Sequence, residues 1–136
     1  MPFVHRLRVR FHECDPQGVV FNAHYFTYFD VALTEMWRAA FGSYQTMVDQ
    51  GSDVVVAEAT ATYRAPARFD DEIEIELAIT RLGTTSMTTS TAVRRDGELL
   101  VEGRVVHVFV DPSTMEKQTI PERARAGLAP YTISSD

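Results

Sequence analysis

The sequence predicts an α+β fold in which an antiparallel sheet packs over one long helix. An alternating strand pattern covers residues 3–11, and an amphipathic helix pattern begins at Asn22. Four further strand patterns then fill most of residues 54–110. A single amphipathic helix followed by consecutive strands buries its apolar stripe against the sheet that those strands form. The length favours one domain with a real core, so we expect residues 1–136 to form a single domain.

The first elements are a strand, a turn and a helix. Apolar residues and arginines alternate along residues 3–11, which is typical of a half-buried strand. The turn "ECDPQG" follows, and the period then changes to three- and four-residue steps. The resulting helical stripe comprises Phe26, Phe29, Leu33, Met36 and Ala40, widened by Tyr25, Ala32 and Trp37. Asn22 is the predicted N-cap and Gly42 the predicted stop, and a short second helix is expected over 43–50.

The remaining chain is predicted to be mostly strand. The four patterns cover 54–64, 72–82, 84–94 and 98–110, and Asp96-Gly97 forms a hairpin turn between the last two. Alanines at 57, 59 and 61 share one face of the first of these strands, which predicts close packing of the helix there. "IPERARAGL" indicates a short C-terminal helix with Pro121 in its first turn.

Composition restricts the functional classes. The net charge of −6 argues against a general nucleic-acid binder, which needs clustered basic residues to replace phosphate counterions. No apolar run approaches the roughly 18 residues of a membrane helix, and the N-terminus lacks the apolar core of a signal peptide. The single cysteine, Cys14, has no partner for an internal disulfide. We therefore expect a cytoplasmic protein that binds neither nucleic acid nor membrane.

Several well-known catalytic signatures are missing. The sequence has no G-x-S-x-G nucleophile elbow, no G-x-G-x-x-G and no phosphate-binding P-loop. "HECDP" begins like the H-E-x-x-H zinc motif, but Pro16 replaces the second ligand. We expect neither a metal nor a cofactor, and Cys14 is interpreted as a structural thiol rather than a nucleophile.

Asp15 allows two interpretations. An aspartate before a proline, with Gly18 supplying a positive φ, is ordinary turn chemistry. The same carboxylate also precedes a helix start, where free N–H groups and partial positive charge stabilise an oxyanion. A carboxylate placed there attacks a bound carbonyl or activates a water beside it. The second interpretation supplies the parts of an acyl-transfer site without a serine triad.

Three stretches extend this second interpretation to most of the chain. "ECDPQGVVFNAHYFTYFD" resembles the first signature of the hotdog-fold acyl-CoA thioesterases of the 4-hydroxybenzoyl-CoA thioesterase type. "VAEATATYRAPARFDDEIEIE" and "RLGTTSMTTSTAVRRDGELLVEGRVVHVFVD" resemble that family's second and third strands and its last hairpin. The resemblance implies a hotdog fold, a five-stranded antiparallel sheet wrapped around one long central helix. It also implies a homodimer, often paired into a homotetramer, with active sites between subunits.

The resemblance also implies site residues. Asp15 matches the catalytic carboxylate, as nucleophile or general base, and a backbone amide at Asn22 or Ala23 matches the group that polarises the thioester carbonyl. The family commonly has His or Tyr at position 22 and Asn at position 24, so His24 becomes a second candidate for a polar contact or a proton, beside a plain surface role.

Substrate-binding candidates surround these positions. The turn and the aromatic helix start contribute Gly18, Val19, Phe21 and Tyr25. CoA carries several phosphates, so an acidic protein requires local cations and hydroxyls to bind it. The candidates for that role are Arg64, Arg68, Arg81, Thr85 and Ser86, each weighed against a solvated strand end.

The favoured function is hydrolysis of an acyl-CoA thioester to free acid and CoA. The alternatives are hydrolysis of acyl chains from a carrier protein and a non-catalytic acyl-CoA binding role. A hydratase is disfavoured because its usual His-centred signature is not visible. The acyl group stays open, because pocket depth depends on how two subunits meet.

Overall fold

A computed structural model describes residues 1–133 of the protein. Its strands are β1 (Phe3–Arg8), β2 (Asp53–Tyr63), β3 (Glu72–Leu82), β4 (Ser86–Arg95) and β5 (Glu98–Val110). Its helices are α1 (His24–Phe41), α2 (Tyr44–Asp49) and α3 (Glu122–Leu128), with 3₁₀ turns at Phe11–Glu13 and Ala129–Tyr131. Over residues 1–133, no helix is long and apolar enough to cross a membrane.

The five strands form one antiparallel sheet in the order β1-β3-β4-β5-β2. β1 and β2 are therefore the two edges. β1 is short and carries arginines, whereas β2 runs for 11 residues and has one edge without a strand neighbour among residues 1–133. The predicted α+β architecture, a five-stranded antiparallel sheet with one long helix, is confirmed.

The buried face of α1 forms the centre of the core. Its buried residues are Tyr25, Tyr28, Phe29, Ala32, Leu33, Met36 and Trp37. They pack in two clusters, one around Phe29 with Ile73, Ile75 and Val101, the other around Trp37 with Leu77, Ile79 and Phe109. Fully burying each large apolar side chain contributes about 1.5–3 kcal/mol to folding. The predicted stripe is confirmed at its centre, while its end members Phe26 and Ala40 are only partly buried.

The alanine face of β2 packs against the core only in part, at Ala61. A bulge between Val56 and Glu58 shifts the register, and Ala57 and Ala59 are exposed on the edge strand. The close approach to α1 instead occurs on β5, where a Cβ on Gly103 would lie 2.4 Å from the Phe29 ring. The bulge interrupts the two-residue period, so the predicted face is wrong at Val55 and Ala57. Beyond the bulge it is right, because Ala59, Ala61 and Tyr63 pair with Val105, Gly103 and Val101 on the side of the sheet that faces α1.

Several element ends also differ from the sequence prediction. β1 ends at Arg8 because the chain turns into the 3₁₀ segment, and α1 begins at His24 with Ala23 at the N-cap. The predicted capping role of Asn22 is therefore wrong. Gly42, with φ +92°, ends α1 as predicted, because this backbone region is strained for residues with a Cβ. Pro121 is the N-cap of α3 and lies one position before the predicted first turn.

Candidate active site

Asp15 lies in a small hairpin that leads into α1. Cys14 bridges Val20 across it, and the Asp15 N–H donates to the Val19 carbonyl at 2.9 Å. The Gly18 N–H closes the turn onto the Asp15 carbonyl at 2.9 Å, and the φ of Gly18 is +79°. Glycine adopts this backbone region without the penalty that a Cβ imposes, so the hairpin depends on Gly18.

The two oxygens of the Asp15 carboxylate have different surroundings. Its Oδ1 accepts the Gln17 N–H at 2.8 Å, which is the Asx-turn contact expected from turn chemistry. Within residues 1–133, Oδ2 forms no protein hydrogen bond, and the side chain lines a surface cavity. The turn interpretation of Asp15 and its placement at a cavity are therefore compatible.

Two backbone amides at the start of α1 have no hydrogen-bond acceptor among residues 1–133. The N–H groups of Phe21, His24 and Tyr25 donate to the carbonyls of Glu13, Phe21 and Asn22 respectively. In the described part of the chain, the N–H groups of Asn22 and Ala23 have no such partner. They are donors at the positive end of a helix of 18 residues, where a carbonyl oxygen or an oxyanion is stabilised.

Two tyrosines build the wall beside these amides. The Tyr63 hydroxyl donates to the Asn22 carbonyl at 3.1 Å, and the Ala67 N–H donates to the Tyr25 hydroxyl at 3.1 Å. The two rings meet edge to face with centroids 5.6 Å apart. Burial raises the pKa of Tyr25, so it stays protonated at neutral pH. The tyrosines thus join the helix start to the end of β2 and to the loop after it.

The resulting cavity has a volume of about 330 Å³. It is lined by Asp15, Gln17, Val19, Val20, Asn22, Tyr25, Tyr63, Arg64, Ala65 and Pro66. The Asp15 carboxylate, the Arg64 guanidinium and Asn22, whose N–H has no protein acceptor among residues 1–133, share this space with an apolar wall. The arrangement suits a substrate with an electrophilic carbonyl attached to a partly apolar group.

The other candidates around the turn lie outside this lining. Gly18 is exposed in the turn, and Phe21 is 46% exposed and packs edge-on against the His24 ring at 5.9 Å. Ala23 lies beside Asn22 at the helix start, where its N–H has no acceptor among residues 1–133. Burial raises the pKa of the Cys14 thiol, which disfavours the nucleophilic thiolate.

The candidate phosphate-binding residues separate into two groups. Arg64 lines the cavity and also donates to Glu102 at 2.6 Å, while Arg68 pairs with Val19 through its backbone. Arg81 lies at the end of β3, next to the turn that carries Thr85 and Ser86. The cavity lies near the start of β3, which at about 3.3 Å per residue places the second group roughly 30 Å away.

Sequence reasoning missed two parts of this site. Tyr63 was predicted only as a strand residue, and Glu13 was treated as a polar turn residue although it is 7% exposed. The alternation of β2 was the available signal for Tyr63. No local signal reveals the burial of Glu13, because its partner Tyr28 is 15 residues further along the chain.

Comparisons with known proteins identify the family. The sequence model of the thioesterase superfamily matches residues 17–102, which begin two residues after Asp15. The acyl-CoA thioester hydrolase YbgC of Escherichia coli O6:H1 is 37% identical over 117 residues, covering 85% of this chain and 87% of that protein.

Solved structures agree as well. A hypothetical protein from Aquifex aeolicus superposes with a TM-score of 0.89 at 31% identity, covering 93% of this chain and 99% of its own. A Staphylococcus aureus protein solved in complex with CoA has a TM-score of 0.88 at 17% identity, covering 96% and 84%, a likeness of fold. The chain therefore belongs to the thioesterase superfamily, with the hotdog fold, and is a thioester hydrolase.

Proposed function

We propose that this protein hydrolyses acyl-CoA thioesters to the free acid and CoA, with Asp15 as the reacting carboxylate. The observation that carries the proposal is the shared cavity: Asp15 lines it together with Asn22, at the helix start where two amides lack acceptors. The 37% identical acyl-CoA thioester hydrolase supports the same substrate class.

The chemistry follows from these groups. The thioester carbonyl oxygen accepts hydrogen bonds from the amides of Asn22 and Ala23, which stabilise the negative charge that develops on it. Asp15 either attacks the carbonyl carbon to form an acyl anhydride that water hydrolyses, or takes a proton from the attacking water. The C–S bond breaks, and CoA leaves as a thiolate. A thiol of pKa about 8.5 is a good leaving group, so His24 is not required as an acid.

The test is Asp15→Asn with a panel of acyl-CoA substrates and detection of the released thiol. We expect kcat to fall by a factor of about 10²–10⁴, the usual contribution of a positioned acid or base. Asp49→Asn makes the same chemical change at an exposed position on α2 and should leave kcat unchanged. Wild-type turnover in Asp15→Asn would remove Asp15 from the mechanism.

We propose that the functional unit is a homodimer, or a dimer of dimers, joined along β2. In the described part of the chain, one edge of this 11-residue strand has no strand neighbour, and the strand exposes Val56 and Tyr63. Such an edge is a template for a second strand. Two copies of β2 pairing antiparallel would place the start of one strand beside the end of the other.

This pairing would complete the substrate site. Asp53, at the start of β2, pairs with Val110, and the neighbouring Phe109 N–H donates to the Thr85 carbonyl at 2.8 Å. Thr85 therefore lies at the opposite end of β2 from Tyr63, and the two-fold pairing brings it close to the partner's cavity. Arg81, Thr85 and Ser86 of one subunit would then bind CoA phosphates while Asp15 of the other attacks the thioester.

Subunit complementation tests the shared site. We expect Asp15→Asn and Arg81→Ala each to have low activity alone. When the two variants exchange subunits at random, half of the dimers are heterodimers, and each heterodimer has one intact site. The mixture should regain about a quarter of wild-type activity. Activity no greater than the average of the two variants would place both residues in the same subunit's site.

The β2 interface has its own test. Lysines at Ala57 and Ala59 would repel each other across the two-fold axis, because the middle of one strand faces the middle of its copy. We expect the double variant to sediment as a smaller species. An unchanged sedimentation coefficient would exclude β2 as the interface.

The competing functions give different substrate profiles. Activity on acyl chains bound to a carrier protein, without activity on acyl-CoA, would favour the carrier-protein thioesterase. Binding of CoA esters without turnover on any of them would favour a non-catalytic role. The single cysteine, Cys14, cannot form an internal disulfide, which supports a cytoplasmic location.

A further inference from the structure

A buried carboxylate lies at the base of the Asp15 hairpin. Glu13 is 7% exposed, and its Oε1 accepts the Tyr28 hydroxyl at 2.9 Å and the Arg10 N–H at 2.8 Å. Its Oε2 lies 3.6 Å from the Arg10 guanidinium. Carboxylates are rarely this buried unless hydrogen bonds compensate for lost water, so these bonds hold Glu13 in one place.

The bond to Tyr28 connects the hairpin to α1. Tyr28 is 1% exposed and lies one helical turn after His24. Burial and the hydrogen bond to Glu13 raise the pKa of Tyr28 far above its usual value, so the hydroxyl remains a donor at every working pH. The contact therefore links a helix to a loop.

The backbone of Glu13 makes a second link on the other side. Its carbonyl accepts the Phe21 N–H at 3.0 Å, which closes the chain between residues 13 and 21. Asp15 lies inside this closed segment, and the unbonded amides of Asn22 and Ala23 follow it directly. The other arm of the hairpin is held by the buried Val20, whose N–H donates to the Ala67 carbonyl at 2.9 Å. Glu13 holds the arm that carries Asp15, so its position helps to set the distance between the carboxylate and the amides.

We infer that Glu13 and Tyr28 are positioning residues whose hydrogen bond holds Asp15 at its reactive distance from the thioester carbonyl. The inference rests on the proposed role of Asp15. Neither residue touches the cavity, so both act through the hairpin. A displacement of about 1 Å in a reacting group costs on the order of 10²-fold in rate, which gives the scale of the expected effect.

Tyr28→Phe removes one oxygen and is the first test. We expect kcat to fall about 10- to 100-fold while KM changes less than about 3-fold, since the cavity wall is unchanged. Tyr44→Phe is the matched control: it removes a similar tyrosine–carboxylate bond, to Asp53 Oδ1 at 2.6 Å, on α2. Its kcat should equal that of the wild type.

Conservative rescue separates positioning from simple loss of stability. Glu13→Gln keeps an oxygen that accepts from both Tyr28 and Arg10, and we expect its kcat to stay within about 5-fold of wild type. Glu13→Ala removes the acceptor and should lose as much kcat as Tyr28→Phe. Equal losses in the Gln and Ala variants, at equal melting temperatures, would contradict a positioning role.

The decisive measurement repeats Tyr28→Phe in the Asp15→Asn background. Once the carboxylate is gone, there is no reactive group to position, so the residual rate should not fall further. The same fold loss in both backgrounds would overturn the inference, as would full activity of Tyr28→Phe beside an inactive Asp15→Asn. Wild-type turnover in Asp15→Asn is a separate result: it would overturn the role of Asp15 itself, and the inference with it.

Discussion

Acid should destabilise this protein through one buried histidine, His107 on β5. The side chain is 4% exposed, and its Nδ1 has no hydrogen-bond partner within residues 1–133. Burial lowers the pKa of His107 from about 6.5 to about 4. The unfolded chain therefore binds this proton first as the pH falls. The stabilising contribution of neutral His107 is complete above pH 6.5 and is lost as the pH falls toward 4.

The size of the effect follows from the shift. A difference of about 2.5 pKa units at about 1.36 kcal/mol each gives at most about 3 kcal/mol, of which about 2.5 kcal/mol is lost by pH 4.5. Asp30 on α1 and Tyr44 on α2 line the same small cavity as His107. Partial burial raises the pKa of Asp30, so this carboxylate binds its proton at a higher pH than an exposed aspartate does.

His107→Leu removes the titrating imidazole and replaces it with an apolar side chain of similar volume. Urea unfolding at pH 7.5, 6.5, 5.5 and 4.5, at equal protein concentration, gives the free energy of unfolding of both proteins. The carboxylates titrate alike in both, so their effect cancels in the difference. We expect this difference to change by about 2.5 kcal/mol in favour of the variant between pH 7.5 and 4.5. Parallel pH profiles would refute the reasoning.

Two further substitutions test the core and the site. Gly103→Ala would place a Cβ 2.4 Å from the buried Phe29 ring, and we expect a loss of about 1–3 kcal/mol in thermal or urea unfolding, partly restored by adding Phe29→Leu. An unchanged melting temperature would show that the ring moves freely. Tyr63→Phe removes the bond to the Asn22 carbonyl, and we expect steady-state kcat to fall about 2- to 10-fold. Wild-type kcat would mean that the amides hold their place without this bond.

Periodicity predicted the fold where the local pattern and the packing agree. On β3, the predicted inward face of Ile73, Ile75, Leu77 and Ile79 is buried to within 1% of its surface. On β2 the pattern failed before the bulge between Val56 and Glu58, because the extra residue shifts the two-residue period. Strand alternation is informative here where the period is uninterrupted, as it is on the edge strand β1, whose burial alternates residue by residue.

The site likewise has a part that local sequence predicts and a part that only tertiary packing determines. Asp15 and the helix start are neighbours in sequence, so turn and helix chemistry predicted their proximity. Arg81 lies far from the cavity of its own subunit because β3 separates them. Its proposed place beside the cavity of a second subunit depends on how two subunits pair. The burial of Glu13 depends on a hydroxyl from the second turn of α1. Contacts of this kind are set by tertiary packing and leave no local pattern.

The two interpretations of Asp15 describe different atoms of one side chain. Oδ1 accepts the Gln17 N–H at 2.8 Å and so fixes the rotamer, while Oδ2 has no protein partner within residues 1–133. An asparagine keeps an acceptor oxygen for the turn and replaces the second oxygen with an amide nitrogen that neither attacks a carbonyl nor takes a proton from water. Asp15→Asn therefore removes the chemistry and preserves the hairpin. Asp15→Ala would remove both, and only the asparagine variant separates a reacting carboxylate from a turn residue.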